Sequence, residues 1–352
     1  MPGPKIALAL QGGGSHGAFT WGVIDRLTHE IEAGRLEIAA ISGASAGALN
    51  ATITAAALGE GGPALARTRL AEFWRSLSES GSVLGNALFF GEPGPFGWNI
   101  DNSPAAIALE AVGLVVSPYT NPFYRDPLAP LLQKAFPAQR LATLNANPGP
   151  KLFLSAVNIA TNERRIFSQP EIDVDVLRAS ACLPSDYRAV SIDGAPYWDG
   201  GYLGNPALTP LLDVADDILL VMVNALNRTD MPPRSARAIL ERLNEIGFNA
   251  SVVLELNAIA NINAMLADLQ AQGIDYKGKY RPINLHLIRD DAFMASLGFV
   301  SKSSTSWSLL SRLHDEGFKI ADDFLRQNAN AFGQRSSVDV KATLTKPVLG
   351  TG

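Results

Sequence analysis

The sequence predicts an α/β protein with a mainly parallel central sheet. Apolar runs of strand length alternate with segments of helical periodicity along the first third of the chain, a pattern typical of βαβ units. Glycine-rich turns follow the first two runs, where a strand of such a unit passes into its helix. The chain has 352 residues and is 47% hydrophobic, so it has enough apolar material for a large core.

The first four elements follow one another closely. Residues 6–10 are all apolar and predict the first strand, and residues 17–31 predict a helix whose apolar side chains lie near one face. Residues 38–41 predict the second strand, and residues 46–58 predict a helix of small residues that packs close to the sheet. Two βα units therefore open the chain.

The same periodicities predict the later elements. Buried strands are expected at residues 152–159, 218–224 and 283–288. Helices are expected at residues 234–270 and 307–326. The first of these helices contains Gly247, where we expect a break because glycine weakens a helix interior.

Residues 81–125 differ from the rest of the chain, because they are dense in glycine, proline, asparagine and aromatic residues. We predict an irregular insertion here, within a domain of residues 1–332 that is followed by a C-terminal tail of residues 333–352. Insertions of this length are usually functional or mobile. Its aromatic residues either pack against the body or form a lid or pocket wall for an apolar substrate. They are Phe89, Phe90, Phe96, Trp98, Tyr119, Phe123 and Tyr124.

Charge and cysteine content narrow the classes of function. A net charge of -5 argues against a nucleic-acid partner and against attraction to an anionic membrane surface, so any transient membrane contact would be apolar. The single cysteine, Cys182, excludes an intrachain disulfide and is expected to be a small buried residue. With no signal-peptide pattern, we predict a cytoplasmic protein, peripheral at a membrane if it contacts one.

The stretch "QGGGSHG", residues 11–17, allows two interpretations. Gly12, Gly14 and Gly17 have the spacing and the strand-to-helix setting of a dinucleotide fingerprint. Such a site also needs an acidic residue at the end of the second strand, whereas Glu37 opens that strand. The alternative is a loop whose backbone N–H groups stabilise an oxyanion.

Ser45 lies in the sequence Gly43-x-Ser45-x-Gly47, between the second strand and its helix. This is the nucleophile-elbow pattern, in which glycines two residues before and after the serine avoid collisions in a sharp turn. The start of a helix also favours developing negative charge. The simpler alternative is a tight turn filled by small residues.

A nucleophilic serine needs a base, and histidine is the usual one. The chain has four histidines, at positions 16, 29, 286 and 314, and none lies in a loop typical of a catalytic histidine. His286 and His314 follow Ser45, as in the order of an α/β-hydrolase, so a histidine-dependent esterase stays an alternative. Asp199, followed by Gly200 and Gly201, is a second candidate base.

The combination of these motifs resembles the patatin-like phospholipase family. A glycine triplet, then G-x-S-x-G, then D-G-G occur in that order, and "RASACLPSDYRAVSIDGAPYWDGG" and "SPYTNPFYRDPL" are similar to further segments of the family. The resemblance extends from about Lys5 to Asn224 and weakens towards Phe332. It implies a three-layer α/β/α patatin-like fold.

The resemblance also implies a serine–aspartate dyad that hydrolyses lipid acyl esters, with Ser45 as nucleophile and Asp199 as base. The oxyanion donors would be the N–H groups of Gly12, Gly13, Gly14 and Ala46. His16 stands where the family often has an arginine or lysine, so the oxyanion site would carry less positive charge. No cofactor or metal is implied, and the chain has no H-E-x-x-H or EF-hand motif. A non-catalytic lipid-binding or regulatory protein is the other alternative.

Overall fold

A computed structural model describes residues 3–81, 99, 101, 116–146, 149–228, 232–234, 236–276 and 280–345. Within these residues, eight strands form one sheet. The strands are β1 (Lys5–Leu10), β2 (Glu37–Gly43), β3 (Lys151–Asn158), β4 (Glu163–Ser168), β5 (Val190–Ile192), β6 (Ala195–Asp199), β7 (Asp217–Val221) and β8 (Asn284–Ile288).

Ten helices of six or more residues lie in the described part of the chain. They are α1 (Gly17–Glu32), α2 (Ala46–Glu60), α3 (Pro63–Ser80), α4 (Leu128–Ala135), α5 (Ala138–Ala146), α6 (Val174–Ser180), α7 (Ala236–Ala271), α8 (Asp291–Leu297), α9 (Trp307–Asn328) and α10 (Val340–Thr345).

Strands β3, β2, β1, β7 and β8 lie side by side and are parallel. Successive side chains of a strand point to opposite faces, so Ile6, Leu8 and Leu10 enter one core while Ala7 and Ala9 enter the other. The first core also contains the apolar faces of α1, α2 and α9, and the second contains that of α7. Helices therefore cover both faces of the sheet, which confirms the three-layer α/β/α prediction.

One edge of β3 is shared by two strands that approach from opposite directions. Residues 151–154 pair with the parallel strand β2, and residues 156–158 pair with the antiparallel strand β6. Strand β4 occupies the other edge of β3. The carboxyl ends of β2 and β6 consequently meet beside residue 155.

The predicted strands and helices of the first two βα units are confirmed, and so are β3, β8 and α9. Two boundaries are wrong. Helix α7 continues through Gly247, which no neighbouring group approaches, because apolar residues of the next turns such as Phe248 and Val252 are buried against the protein. Strand β7 ends at Val221, and the N–H groups of the next residues, Met222 and Val223, donate to Ile288 O and Gln11 Oε1.

Most of the predicted insertion, residues 82–98, 100 and 102–115, lies outside the described residues. Of its aromatic residues, Tyr119 and Tyr124 are described and accept hydrogen bonds from the N–H groups of Ala189 and Arg188. Phe123 is exposed. At the other end of the chain, Ser337 N–H donates to Leu285 O, which ties residues after 333 to β8.

Candidate active site

Ser45 occupies the turn between β2 and α2. Its backbone has φ 53° and ψ -130°, a positive-φ conformation that residues other than glycine rarely adopt. The Ser45 N–H donates to Ser180 O over 2.9 Å, and the residue is 6% exposed. Strain at one such serine is typical of a nucleophile elbow, where the turn is held by its surroundings.

The glycines on either side of Ser45 permit a very close approach of α2 to the sheet. A Cβ at Gly47 would lie 2.1 Å from Leu10 O, and a Cβ at Gly43 would lie 2.5 Å from Gly47 O. Gly17 contacts the same turn, since a Cβ there would lie 2.7 Å from the Ala46 Cβ. The spacing of the G-x-S-x-G motif is therefore a packing requirement in this fold.

Asp199 is the last residue of β6, and Gly200 begins a short 3₁₀ helix. The Asp199 side chain is fully buried, and its Oδ1 accepts a 2.7 Å hydrogen bond from Gly201 N–H. A Cβ at Gly200 would lie 2.0 Å from Ser155 O, so only glycine lets the chain turn directly against β3.

The segment that follows α6 connects the two candidate residues. Ser180 O accepts from Ser45 N–H, and Cys182 O accepts from Asp199 N–H over 2.9 Å. The Ser180 hydroxyl in turn donates to Ser155 O on β3 over 2.8 Å. Residues 180–182 thus act as a brace that anchors the backbones of Ser45 and Asp199 to the same strand.

Burial raises the pKa of Asp199 from 3.8 to about 7, while the Gly201 N–H and the neighbouring Ser45 side chain lower it. The second carboxylate oxygen, Oδ2, is buried and has no partner of normal hydrogen-bond geometry among the described residues. A buried oxygen without a partner is unusual in a native protein and is typical of functional sites. Asp199 therefore has an acceptor available beside Ser45.

The glycine loop, residues 11–17, packs directly against Ser45. A Cβ at Gly12 would lie 2.6 Å from the Ser45 Cβ. The N–H of Gly12, an expected oxyanion donor, donates to Asn205 Oδ1 over 2.7 Å, so it is already engaged in this structure. In the described part of the chain, the N–H groups of Gly13, Gly14 and Ala46 have no hydrogen-bond acceptor.

Three amide side chains hold this loop, and the motifs did not predict them. Gln11 Oε1 accepts from the N–H groups of Val223 and Asn224 over 2.8 and 2.9 Å. Asn224 Nδ2 and Asn205 Nδ2 donate to Gly12 O over 2.9 and 3.3 Å. Asparagine and glutamine form such clamps on backbone groups in many loops, so their presence in the sequence alone gives no usable signal.

The two later histidines are engaged away from Ser45. His286 lies in β8, and its Nε2 contacts Asp217 Oδ1 over 2.9 Å at the amino-terminal end of β7. Ser45 follows the carboxyl end of β2, so it lies at the opposite end of the parallel strands from Asp217. His314 contacts Asp25 over 3.0 Å, between α9 and α1.

The other two histidines do not contact Ser45 either. His16 Nε2 bonds the Ser301 hydroxyl over 2.7 Å, and burial lowers the pKa of His16 to about 3, so the imidazole is neutral. His29 is half-exposed and lies 3.7 Å from Asp25. Asp199 is consequently the titratable side chain that the structure brings to Ser45.

Glu37 does not complete a dinucleotide site. It forms a 2.8 Å ion pair with Lys5 at the amino-terminal end of β2, whereas the glycine loop follows the carboxyl end of β1.

Cys182 is 1% exposed, as expected, and burial raises the pKa of its thiol to about 12. The described residues contain no group of three or more metal-ligating side chains.

Comparison with known families decides the assignment. The profile of the family described as patatin-like phospholipase matches residues 8–212, which is more than half of the chain. The chain belongs to the patatin-like phospholipase family. Members of this family are lipid-hydrolysing enzymes.

A comparison of this patatin-like protein with curated proteins gave no match. Among solved structures, VipD from Legionella pneumophila is similar with 15% identity and a TM-score of 0.37, over 93% of this chain and 67% of that one. ExoU in its complex with SpcU from Pseudomonas aeruginosa is similar with 15% identity and a TM-score of 0.34, over 92% of this chain. The likeness covers 52% of that second solved chain, so the patatin-like protein spans about half of the length of the solved chain.

Proposed function

We propose that this patatin-like protein hydrolyses lipid acyl esters through a Ser45–Asp199 dyad. The observation that carries the proposal is the buried Asp199 carboxylate beside the Ser45 side chain, which lowers the pKa of Asp199. Among the described residues, Asp199 Oδ2 has no other partner of normal hydrogen-bond geometry. An exposed aspartate is too weak a base to accept a proton from an alcohol near neutral pH. A carboxylate whose pKa is raised to about 7 by burial is better matched to that task.

In this mechanism, Asp199 Oδ2 takes the proton of the Ser45 hydroxyl while the Ser45 oxygen bonds to the carbonyl carbon of the ester. The bond from that carbon to the alcohol oxygen then breaks, and the alcohol leaves with the proton held by Asp199. In the second half, water attacks the acyl-enzyme, its proton passes to Asp199, and the Ser45 oxygen regains this proton as the fatty acid leaves. No cofactor takes part in these steps.

The negative charge of each tetrahedral intermediate needs donors, and we assign the N–H groups of Gly13, Gly14 and Ala46 to this role. They belong to the two turns that meet at Ser45, and no described acceptor engages them. Removing one such donor from a hydrolase typically costs about 3 to 4 kcal/mol of transition-state stabilisation.

Active-site labelling tests the proposal. A fluorophosphonate is expected to modify the wild-type protein at the peptide that contains Ser45, and a p-nitrophenyl ester is expected to be hydrolysed. The double variant His286→Ala/His314→Ala should keep this turnover, because neither imidazole reaches Ser45. An unlabelled Ser45 without turnover would instead indicate a non-catalytic lipid-binding protein, and loss of activity in the histidine variant would indicate a histidine-dependent esterase.

We propose that the outer face of α7 brings the protein to the lipid surface. A segment of this helix, residues 238–271, is long and apolar enough to cross a membrane by length and composition. Only 22% of its most apolar 18-residue stretch is buried inside the protein. Its inner side contributes Phe248, Asn249 and Ser251 to the surroundings of Gly201, Gln11 and Asn205. The exposed large apolar residues are Ile239, Leu240, Leu243, Ile246, Leu254, Ile262 and Met265.

Charge supports a lipid surface as the partner of this face. Between Ile246 and Ala267 the one charged residue is Glu255, and its carboxylate is directed inward to Arg164 and the N–H group of Leu208. Over residues 246–267 the outer face therefore presents no charge to hydrocarbon, and its apolar area drives insertion into the interface.

We expect Leu254→Glu/Met265→Glu to weaken binding to phosphatidylcholine vesicles by about tenfold or more, because burying one leucine side chain contributes about 1.5 to 3 kcal/mol. Co-flotation with vesicles measures the effect, and circular dichroism verifies the fold. The matched control, Gln327→Glu/Asn330→Glu, adds the same charge at exposed positions near the end of α9 and should bind as the wild type does. Equal binding by all three proteins would exclude α7 as the docking face.

A further inference from the structure

Lys302 places a positive charge behind the glycine loop. The residue is half-buried, but its ammonium group extends inward to the fully buried Asn224, with 2.6 Å between Nζ and Oδ1. No described carboxylate lies within ion-pair distance of this ammonium group, whose Nζ contacts Asn224 instead. Burial lowers the pKa of Lys302 to about 8, and Glu245, Glu241 and Asp101 raise it from further away, so the ammonium group is charged at neutral pH. A buried cation without a direct counter-ion costs stability, which points to a function.

The contact between Lys302 and Asn224 continues to the glycine loop. Asn224 accepts from Lys302 through Oδ1 and donates through Nδ2 to Gly12 O over 2.9 Å. The carbonyl of Lys302 itself also lies against the loop, since a Cβ at Gly14 would lie 2.3 Å from Lys302 O. Lys302, Asn224 and Gly12 thus form one hydrogen-bonded chain.

The peptide unit between Gly12 and Gly13 links this hydrogen-bonded chain to the opposite side of the glycine loop. The carbonyl of Gly12 and the N–H of Gly13 belong to one planar peptide unit and point in opposite directions. Donors on the Gly12 oxygen therefore fix the direction of the Gly13 N–H. A positive charge at the far end of the chain also polarises that N–H and strengthens it as a donor.

We propose that Lys302 and Asn224 are a positioning pair that aims and polarises the Gly13 N–H towards the oxyanion formed at Ser45. The inference rests on the proposed dyad mechanism. His16 does not supply this charge, because its imidazole is neutral. Both residues of the pair lie beyond residues 8–212, so the matched family region does not contain them.

Kinetics on a soluble p-nitrophenyl ester test the pair. Lys302→Met and Asn224→Leu should each lower kcat about tenfold with little change in KM, because a weakened oxyanion donor acts mainly in the transition state. The double variant should lose no more than the worse single variant, since both changes interrupt one chain. Lys134→Met removes an exposed lysine of α4 and should behave as the wild type does.

Three results would contradict the proposed role of the pair. They are an unchanged kcat in Lys302→Met, a kcat loss in the double variant that equals the product of the two single losses, or a variant in which only Tm is lowered. If Lys302→Met does not fold, Lys302→Gln serves as the second neutral variant and is judged by the same kcat criterion. Wild-type labelling at Ser45 separates this test from the dyad proposal. A wild type without label and turnover would refute both.

Discussion

The Ser45→Ala variant is expected to lose ester turnover by about 10⁴-fold or more, because loss of the nucleophile removes the acyl-enzyme route and leaves only binding and oxyanion stabilisation. The substitution removes one oxygen from a buried side chain whose described polar neighbour is Asp199, so the fold should be retained. The measurements are kcat/KM on a p-nitrophenyl ester and covalent labelling by a fluorophosphonate.

The matched control for this variant is Ser42→Ala. Ser42 lies on β2 three residues before Ser45, is 1% exposed, and donates its hydroxyl to Ala207 O over 2.7 Å. Its replacement should cost about 1 kcal/mol of stability and leave the labelling intact. Turnover by Ser45→Ala within tenfold of the wild type would show that the nucleophile is another group.

The Asp199→Asn variant is expected to reduce kcat/KM by about 10² to 10⁴-fold, the usual contribution of a general base. Asparagine keeps the shape of the side chain and can still accept the Gly201 N–H at its oxygen, so loss of activity would report loss of the base. Asp193→Asn is the control, because Asp193 also precedes a glycine but its side chain is 78% exposed.

The same carboxylate sets the expected pH dependence of the wild type. Only the deprotonated form of Asp199 accepts a proton, and its pKa is raised to about 7. Below that value kcat/KM should therefore fall about tenfold for each pH unit, since the protonated form predominates there. A profile that stays flat from pH 8 to pH 4 would contradict Asp199 as the base.

The sequence predicted those parts of the candidate site that depend on local structure. Ser45 and Asp199 are found by motif because glycines beside them meet steric demands of single turns, as at Gly47 against Leu10 O and at Gly200 against Ser155 O. The alternation of apolar runs likewise predicted β1, α1, β2 and α2.

The rest of the site depends on which strands become neighbours, and no local pattern contains that information. Asn224 reaches Gly12 because β7 pairs with β1, and Lys302 reaches Asn224 because a turn after α8 packs on the glycine loop. The short strand β6 is another such case, since its position is set by pairing with β3. Helix α7 stays continuous at Gly247 because its apolar neighbours outweigh one unfavourable residue.

The brace at residues 180–182 also bears on when the protein becomes capable of reaction during synthesis. Ser45 emerges from the ribosome early, but its turn is anchored only after α6 has been made, and its base arrives later still with β6. The partner of the glycine loop, Lys302, follows after most of the chain. On the proposed dyad mechanism, an unfinished chain therefore carries Ser45 without Asp199 and Lys302 and is expected to be inactive towards esters.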